Sequence, residues 1–67
     1  MEIIFNHKKR LLTGQTSIED LLRIQFGEIP KGIAVAINRV ILQKTQWPDQ
    51  MLSNGDDVLV IRATQGG

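Results

Sequence analysis

The sequence contains no cysteine and no tyrosine and has a single histidine, which narrows the chemistry that its side chains can perform. Without cysteine there is no disulfide, no thiolate metal site and no thiol nucleophile. The histidine, His7, falls in a predicted hairpin, and the adjacent Asp56 and Asp57 tend to point apart rather than form a working carboxylate pair. No metal-ligand spacing is present. We therefore expect no enzyme activity, bound metal or cofactor in this chain.

Long apolar runs are also absent. The longest, residues 33–37, is too short to cross a bilayer, and the first residues lack the features of a signal peptide. A net charge of +1 gives little long-range attraction for nucleic acid. We expect a cytoplasmic protein, monomeric on its own, that binds neither membrane nor nucleic acid.

Sixty-seven residues, of which 42% are hydrophobic and 22% charged, make one small globular domain spanning 1–67. Apolar periodicity predicts, in order, two strands, a helix, two strands, a short helix and a last strand. One amphipathic helix and about five short strands predict an α+β fold in which the helix covers one face of a sheet. The predicted strands are 2–6, 11–12, 33–37, 40–42 and 58–61, and the helices lie within 16–26 and 43–53.

Local signals predict where the main helix begins and ends. Residues 16–19, Thr-Ser-Ile-Glu, have the spacing of a capping box, which makes Thr16 the N-cap. Gly27 is a suitable helix stop. In the second helical segment Pro48 fits the first turn, and Trp47 is expected to anchor a secondary core.

Both predicted hairpins have unusual turns. Residues 7–10, His-Lys-Lys-Arg, are expected to form the exposed tip of the first hairpin, with a docking patch as the alternative. In the second hairpin Arg39 occupies a position where a primed turn favours glycine. Either Arg39 is left-handed at some energetic cost, or the turn is of a different type.

The last predicted strand is apolar on both faces, although a sheet covered on one face favours alternation. In one interpretation it is simply the central strand of the sheet. In the other, every second residue faces the helix, while Leu59 and Ile61 join Ile4 in an apolar patch on the open face, which would mark a protein contact. We expect Ile4, Leu59, Ile61 and the adjacent Arg62 to contact a partner.

After this strand come the residues Ala-Thr-Gln-Gly-Gly. The carboxylate of Gly67, ionised at neutral pH, is the remaining candidate nucleophile. Two glycines without Cβ atoms would let it enter a narrow active site of another protein. No residue after Ile61 is strongly apolar, so we expect a flexible tail over 64–67. A chance or cloning origin of Gly66 and Gly67 is the alternative.

Four stretches together resemble the ThiS family of sulfur carriers and span nearly the whole chain. They are MEIIFN, GQTSIEDLL, AVAINRVILQKTQW and NGDDVLVIRATQGG. The resemblance implies a ubiquitin-like β-grasp fold with a mixed sheet, in which the last strand is central and parallel to the first.

The resemblance also implies a function. An E1-like enzyme, ThiF, would use ATP to adenylate the carboxylate carried here by Gly67. A sulfur donor, such as a cysteine desulfurase, would then displace AMP and leave a thiocarboxylate, whose sulfur passes to the thiazole synthase ThiG. Gln65 and Gly66 would form the tail that carries the reactive group. ATP and any zinc would belong to the partner.

Other functions remain open. MoaD, the small subunit of molybdopterin synthase, has the same fold and ending, and the same activated carboxylate could serve conjugation to lysines. A TGS-like binding module, with no role for the tail, comes from a different class. The sequence departs from the family at Asn38 and Arg39, where Asn-Gly is typical, and at Gln43 and Lys44, where Pro-Arg is frequent. These departures bear on which partner is bound.

Overall fold

The structure, a computed structural model, describes residues 1–62 as a five-stranded sheet with one main helix. The predicted order of elements is confirmed, and the predicted tail over 64–67 lies outside the described residues. The strands are β1 (Glu2–Phe5), β2 (Lys8–Leu11), β3 (Ile33–Ile37), β4 (Val40–Leu42) and β5 (Asp57–Arg62), the helix is α1 (Ile18–Phe26), and a single 3-10 turn spans Lys44–Gln46.

The sheet is mixed and has the strand order β2-β1-β5-β3-β4. Strand β5 lies at its centre, parallel to β1 and antiparallel to β3. Central strands have neighbours on both sides and favour β-branched residues on both faces. The interpretation of the last strand as the central one is therefore confirmed, and its two-faced apolar sequence follows from this position.

The core lies between the sheet and α1. From the helix, Ile18, Leu21 and Leu22 are completely buried at the i, i+3, i+4 spacing of an amphipathic helix. Burying a side chain of this size contributes roughly 1.5–3 kcal/mol. Phe26, at the end of the same stripe, is 39% exposed, and its ring packs at a tilt against Phe5 with centroids 6.3 Å apart. The sheet and the loops supply the rest of the core: Ile3, Phe5, Leu12, Val35, Trp47, Leu52 and Val58.

The helix begins one residue later than the capping-box spacing predicts. Ser17 is the N-cap, and its hydroxyl oxygen accepts from the Asp20 amide at 3.0 Å. Thr16 is instead held by pairing with the loop before β5, where its carbonyl accepts from the Leu52 amide at 2.9 Å. The prediction of Thr16 as N-cap is therefore wrong, because its hydroxyl donates to the Gly14 carbonyl at 3.0 Å and the capping oxygen comes from Ser17. Gly27 ends the helix at a φ of 81°, as predicted.

The basic residues of the first hairpin lie in a strand rather than at its tip. Lys8, Lys9 and Arg10 belong to β2, and the two-residue turn is made by Asn6 and His7, at φ values of 48° and 71°. Two positive φ values are the signature of a type I′ turn, whose twist matches antiparallel strands. The predicted exposure of the basic residues is confirmed, but their place in the hairpin was predicted wrongly, since the asparagine was not recognised as the turn former.

The second hairpin has the same type of turn. Asn38 and Arg39 have φ values of 50° and 72°, so the left-handed alternative for Arg39 is the correct one. The Asn38 side chain holds the turn against the start of β5, because its Oδ1 accepts from the Asp57 amide at 2.9 Å and its Nδ2 donates to Asp56 at 3.1 Å. These two bonds help to offset the strain at Arg39.

The segment between β4 and β5 is less helical than predicted. The 3-10 turn Lys44–Gln46 ends at Trp47, and Pro48 follows it, so the prediction that Pro48 opens a helix is wrong. The Gln46 side-chain oxygen accepts from the Gln43 amide at 3.1 Å, and the Gln46 amide donates to the Gln43 carbonyl at 2.9 Å. These bonds start the turn at Lys44, before Pro48. Trp47 is 3% exposed and its indole N–H donates to the Leu42 carbonyl at 3.3 Å, which confirms it as a core anchor.

The N-cap assignment can be tested with Ser17→Ala. Losing the capping oxygen should lower the free energy of unfolding by about 1 kcal/mol. In a domain of this size that corresponds to a fall in Tm of roughly 4–8 °C, measured by thermal unfolding. The control is Ser53→Ala, an exposed serine outside the helix, which should leave Tm nearly unchanged. Equal Tm values for the two variants would contradict the assignment.

Candidate functional site

Strand β5 separates its residues cleanly between the two faces of the sheet. Val58 is completely buried under α1, and Val60 is packed against the same core. Leu59 and Ile61 therefore point to the open face, which α1 does not cover. The face assignment predicted from periodicity is the one that the structure shows.

The open face carries an apolar patch formed by residues of four strands. Ile4 lies opposite Asp57 across the parallel pair, which puts it on the same face as Leu59 and Ile61. Leu59 is half-buried and Ile61 is 47% exposed. The open-face patch is defined here as Ile4, Ala34, Ala36, Ile41, Leu59 and Ile61.

Three members of the open-face patch were not found from the sequence. Ala34 and Ala36 pair with Ile61 and Leu59 across β3 and β5, and Ile41 lies beyond Ala36 on β4 with 63% exposure. Because the alanine side chains are small, the side chains of Leu59 and Ile61 project further from the sheet than those of their β3 neighbours. The alternation of small and large residues in β3 is the signal that could have indicated this face.

Arg62, also predicted to contact a partner, is not part of the open-face patch. It pairs with Ile33 at the end of β5, a register position that belongs to the helix-covered face. The side chain is exposed there. The structure therefore brings Ile4, Leu59 and Ile61 together and separates Arg62 from them.

Two asparagine side chains fix the position of β5. Asn6 accepts from the Val60 amide through Oδ1 at 2.8 Å, while its own amide donates to the Val58 carbonyl at 2.9 Å. Asn6 thus extends the parallel ladder beyond the last residue of β1. On the side of β5 that faces β3, the Asn38 side chain accepts from the Asp57 amide. Both turns are tied to the strand that carries the patch.

A shallow cleft of about 270 Å³ adjoins the patch between these two turns. His7 and Arg39 line it from the turns, Asp57 lines it from the start of β5, and Ala36 and Leu59 connect it to the patch. In the described range 1–62 the one ion pair is Arg23 with Glu19 at 3.6 Å on α1, so the charged groups of the cleft are not paired with each other. The cleft offers both a cation and an anion to a binding partner.

Metal binding and membrane insertion have no counterpart in this part of the chain. Within residues 1–62, no three side chains of the metal-ligating types are grouped so that they could hold an ion. No described helix has the length and hydropathy needed to span a bilayer. The predicted reactive residue Gly67 and its neighbours Gln65 and Gly66 lie outside the described residues.

A mixed sheet with a central last strand, one covering helix and an exposed apolar face defines a small ubiquitin-like β-grasp protein. Comparison with solved structures agrees. The crystal structure of a thiamine biosynthesis protein (ThiS) from Geobacter metallireducens matches with a TM-score of 0.86 at 20% identity over the full length of both chains. A solution structure of a thiamine biosynthesis protein from the same organism matches with a TM-score of 0.76 at 20% identity, covering all of this chain and 88% of that one.

Comparison of sequences identifies the family. The family model of ThiS matches residues 3–67. The sulfur carrier protein ThiS of Escherichia coli K12 is 30% identical over 67 residues, which is the whole of both chains. The chain belongs to the ThiS family.

The role of Asn6 can be separated from the conformation of its turn. Asn6→Gly keeps the positive φ without strain but removes the acceptor of the Val60 amide, so unfolding should become easier by about 1–2 kcal/mol. Hydrogen exchange of the Val60 amide should accelerate. Asn6→Asp, which retains the acceptor, should keep that amide protected. Loss of protection in both variants, or in neither, would contradict this role.

Proposed function

We propose that this protein is a sulfur carrier of thiamine biosynthesis and that the carboxylate of Gly67 carries the sulfur. The observation that supports this most directly is the match to the ThiS family over residues 3–67, a range that includes Gly66 and Gly67. The E. coli relative, aligned over its whole length, is itself named a sulfur carrier protein. In this proposal the chain acts as a carrier and is the substrate of partner enzymes.

The chemistry requires that the carboxylate be activated by another protein. A carboxylate oxygen is a poor leaving group, so an E1-like enzyme of the ThiF type would join it to AMP at the expense of ATP, releasing pyrophosphate. A sulfide donor then attacks the carbonyl carbon and AMP leaves; with a persulfide donor the product is an acyl disulfide, and a thiol of the donor system must cleave its S–S bond, becoming a disulfide itself, to release the thiocarboxylate. One oxygen of Gly67 is replaced by sulfur, which a thiazole synthase of the ThiG type would accept. ATP is bound by the activating enzyme.

The described part of the chain would present this terminus to the partner. Two residues of the open-face patch, Leu59 and Ile61, lie on β5, and Gly67 follows them in the sequence by a few residues. Exposed apolar groups that cluster on one face typically mark protein contacts. Because β5 pairs with β3 as far as Arg62, the described end of the chain is held by the sheet. A partner that covers the patch would therefore find Arg62 at a fixed position.

Two alternatives differ from this proposal in testable ways. A MoaD-like carrier would undergo the same activation but deliver its sulfur to molybdopterin synthesis. A TGS-like module would bind without using the tail. The full-length match to a ThiS protein at 30% identity supports the thiamine pathway over both.

Thiocarboxylate formation is the direct test. Incubation with ThiF, ATP and a sulfur source should replace one oxygen by sulfur in the intact mass. Deletion of Gly67, or addition of one residue after it, should abolish the product because no carboxylate remains at that position. Circular dichroism should show that both variants still fold. Sulfur incorporation in the deletion variant, or none in the unaltered chain, would overturn the proposal.

Docking through the open-face patch can be tested with Ile61→Asp. Placing a charge in a buried apolar contact should weaken association with ThiF by at least about tenfold, a loss typical of central interface residues. Titration calorimetry measures the Kd. The matched control is Ile24→Asp, since Ile24 is 63% exposed on α1 and lies away from the open face. Similar Kd values for the two variants, with both correctly folded, would exclude the patch as the docking surface.

A further inference from the structure

The edge strand β2 concentrates positive charge. Its four residues are all exposed, and Lys8, Lys9 and Arg10 occupy three of them. These are three of the eight lysines and arginines in the sequence, so the remaining chain has five basic against seven acidic residues. Positive charge is therefore concentrated on β2, although the net charge of the chain is only +1.

A groove of about 540 Å³ runs along this strand on the side of α1. Phe5 forms an apolar part of its wall, and Lys8, Lys9 and Arg10 supply the charge. Arg10 donates to the Gln25 side chain, which holds its guanidinium against the helix. The remaining lining residue is Asn6, so among residues 1–62 no carboxylate borders the groove. Its chemistry favours an anionic occupant.

The backbone of β2 is open to a further strand. Met1 and Leu12 lie opposite each other and are joined by two backbone hydrogen bonds, one in each direction. In an antiparallel pair of strands, the opposed residue pairs that follow alternate between non-bonded and hydrogen-bonded. Lys9 and Leu11 fall in the non-bonded positions of their register with β1. Their N–H and C=O groups therefore point away from the sheet, where an extended peptide could pair with them.

Protection of the sheet edge does not account for this charge. Lysines on an edge strand commonly prevent unwanted pairing. The opposite edge strand, β4, is of similar length and contains no charged residue, and it leaves Val40 67% exposed and Ile41 63% exposed. If charged residues served to prevent unwanted strand pairing, they would be needed more at β4, whose exposed residues are apolar. The asymmetry indicates that β2 is charged for binding.

We propose that β2 is a second docking surface, distinct from the open-face patch, which binds an extended acidic segment of a partner protein by strand addition. The partner's backbone pairs with Lys9 and Leu11, and its carboxylates on the α1 side contact Lys8 and Arg10, which share that face of β2. Hydrogen bonds of the added strand supply affinity, and the basic side chains select acidic sequences. This inference does not depend on the sulfur chemistry proposed above.

The test uses a short synthetic peptide in which glutamate alternates with valine, titrated into the full chain and followed by NMR. Backbone amide shifts should change along β2, and exchange of the Lys9 and Leu11 amides should slow. The double variant Lys8→Gln, Arg10→Gln removes both basic side chains on the α1 face of β2 and should bind about tenfold more weakly, since two charge-assisted contacts are lost. The control Lys31→Gln, Lys44→Gln removes the same charge from exposed positions elsewhere and should bind as the unaltered chain does.

Three outcomes would overturn the inference. One is no binding of the acidic peptide, or equal binding of a peptide with glutamine in place of glutamate. Another is binding that shifts the amides of the open face instead of β2, or that both double variants weaken equally. The third is that inorganic polyphosphate displaces the peptide without slowing exchange at Lys9 and Leu11, since a polyanion recognised by charge alone needs no strand addition.

Discussion

The pairing of β5 with strands on both of its sides is the interaction on which the rest of the structure depends. It pairs in parallel with β1 and antiparallel with β3, the latter from Val58 to Arg62. This position places Val58 in the core under α1 and, by the alternation of a strand, Leu59 and Ile61 on the open face. The core and the candidate docking surface are thus two faces of one strand, and a register slip would exchange them.

The two type I′ turns serve this strand as well as their own hairpins. Each begins with asparagine, a residue that tolerates left-handed backbone, and each asparagine side chain accepts from a β5 amide. Asn6 acts where β1 has ended, and Asn38 acts where β5 begins. The turns also bring His7 and Arg39 to the cleft beside Leu59. Local turn chemistry therefore determines which charged groups border the apolar patch.

The surface of this small domain is divided by chemistry. The open face is apolar at its centre, the cleft beside it contains charges of both signs, and three of the four residues of β2 are basic. In the carrier role proposed above, specificity would lie in surfaces that partners recognise. Membership in the ThiS family agrees with such a role. The open face is suited to an apolar contact, and β2 to an acidic one.

The sequence by itself determined the order of elements and the common face of Leu59 and Ile61, because these follow from apolar periodicity, while the central place of the last strand was one of two interpretations. Resemblance to the family supplied the fold and the expected role of Gly67. Only the tertiary structure decided features that depend on contacts distant in sequence. The Thr16 carbonyl accepts from the loop before β5 while Ser17 caps the helix, and Arg62 falls on the other face because its register with β3 sets it there. Periodicity describes one segment at a time, whereas caps, register and the members of a patch depend on which segments meet.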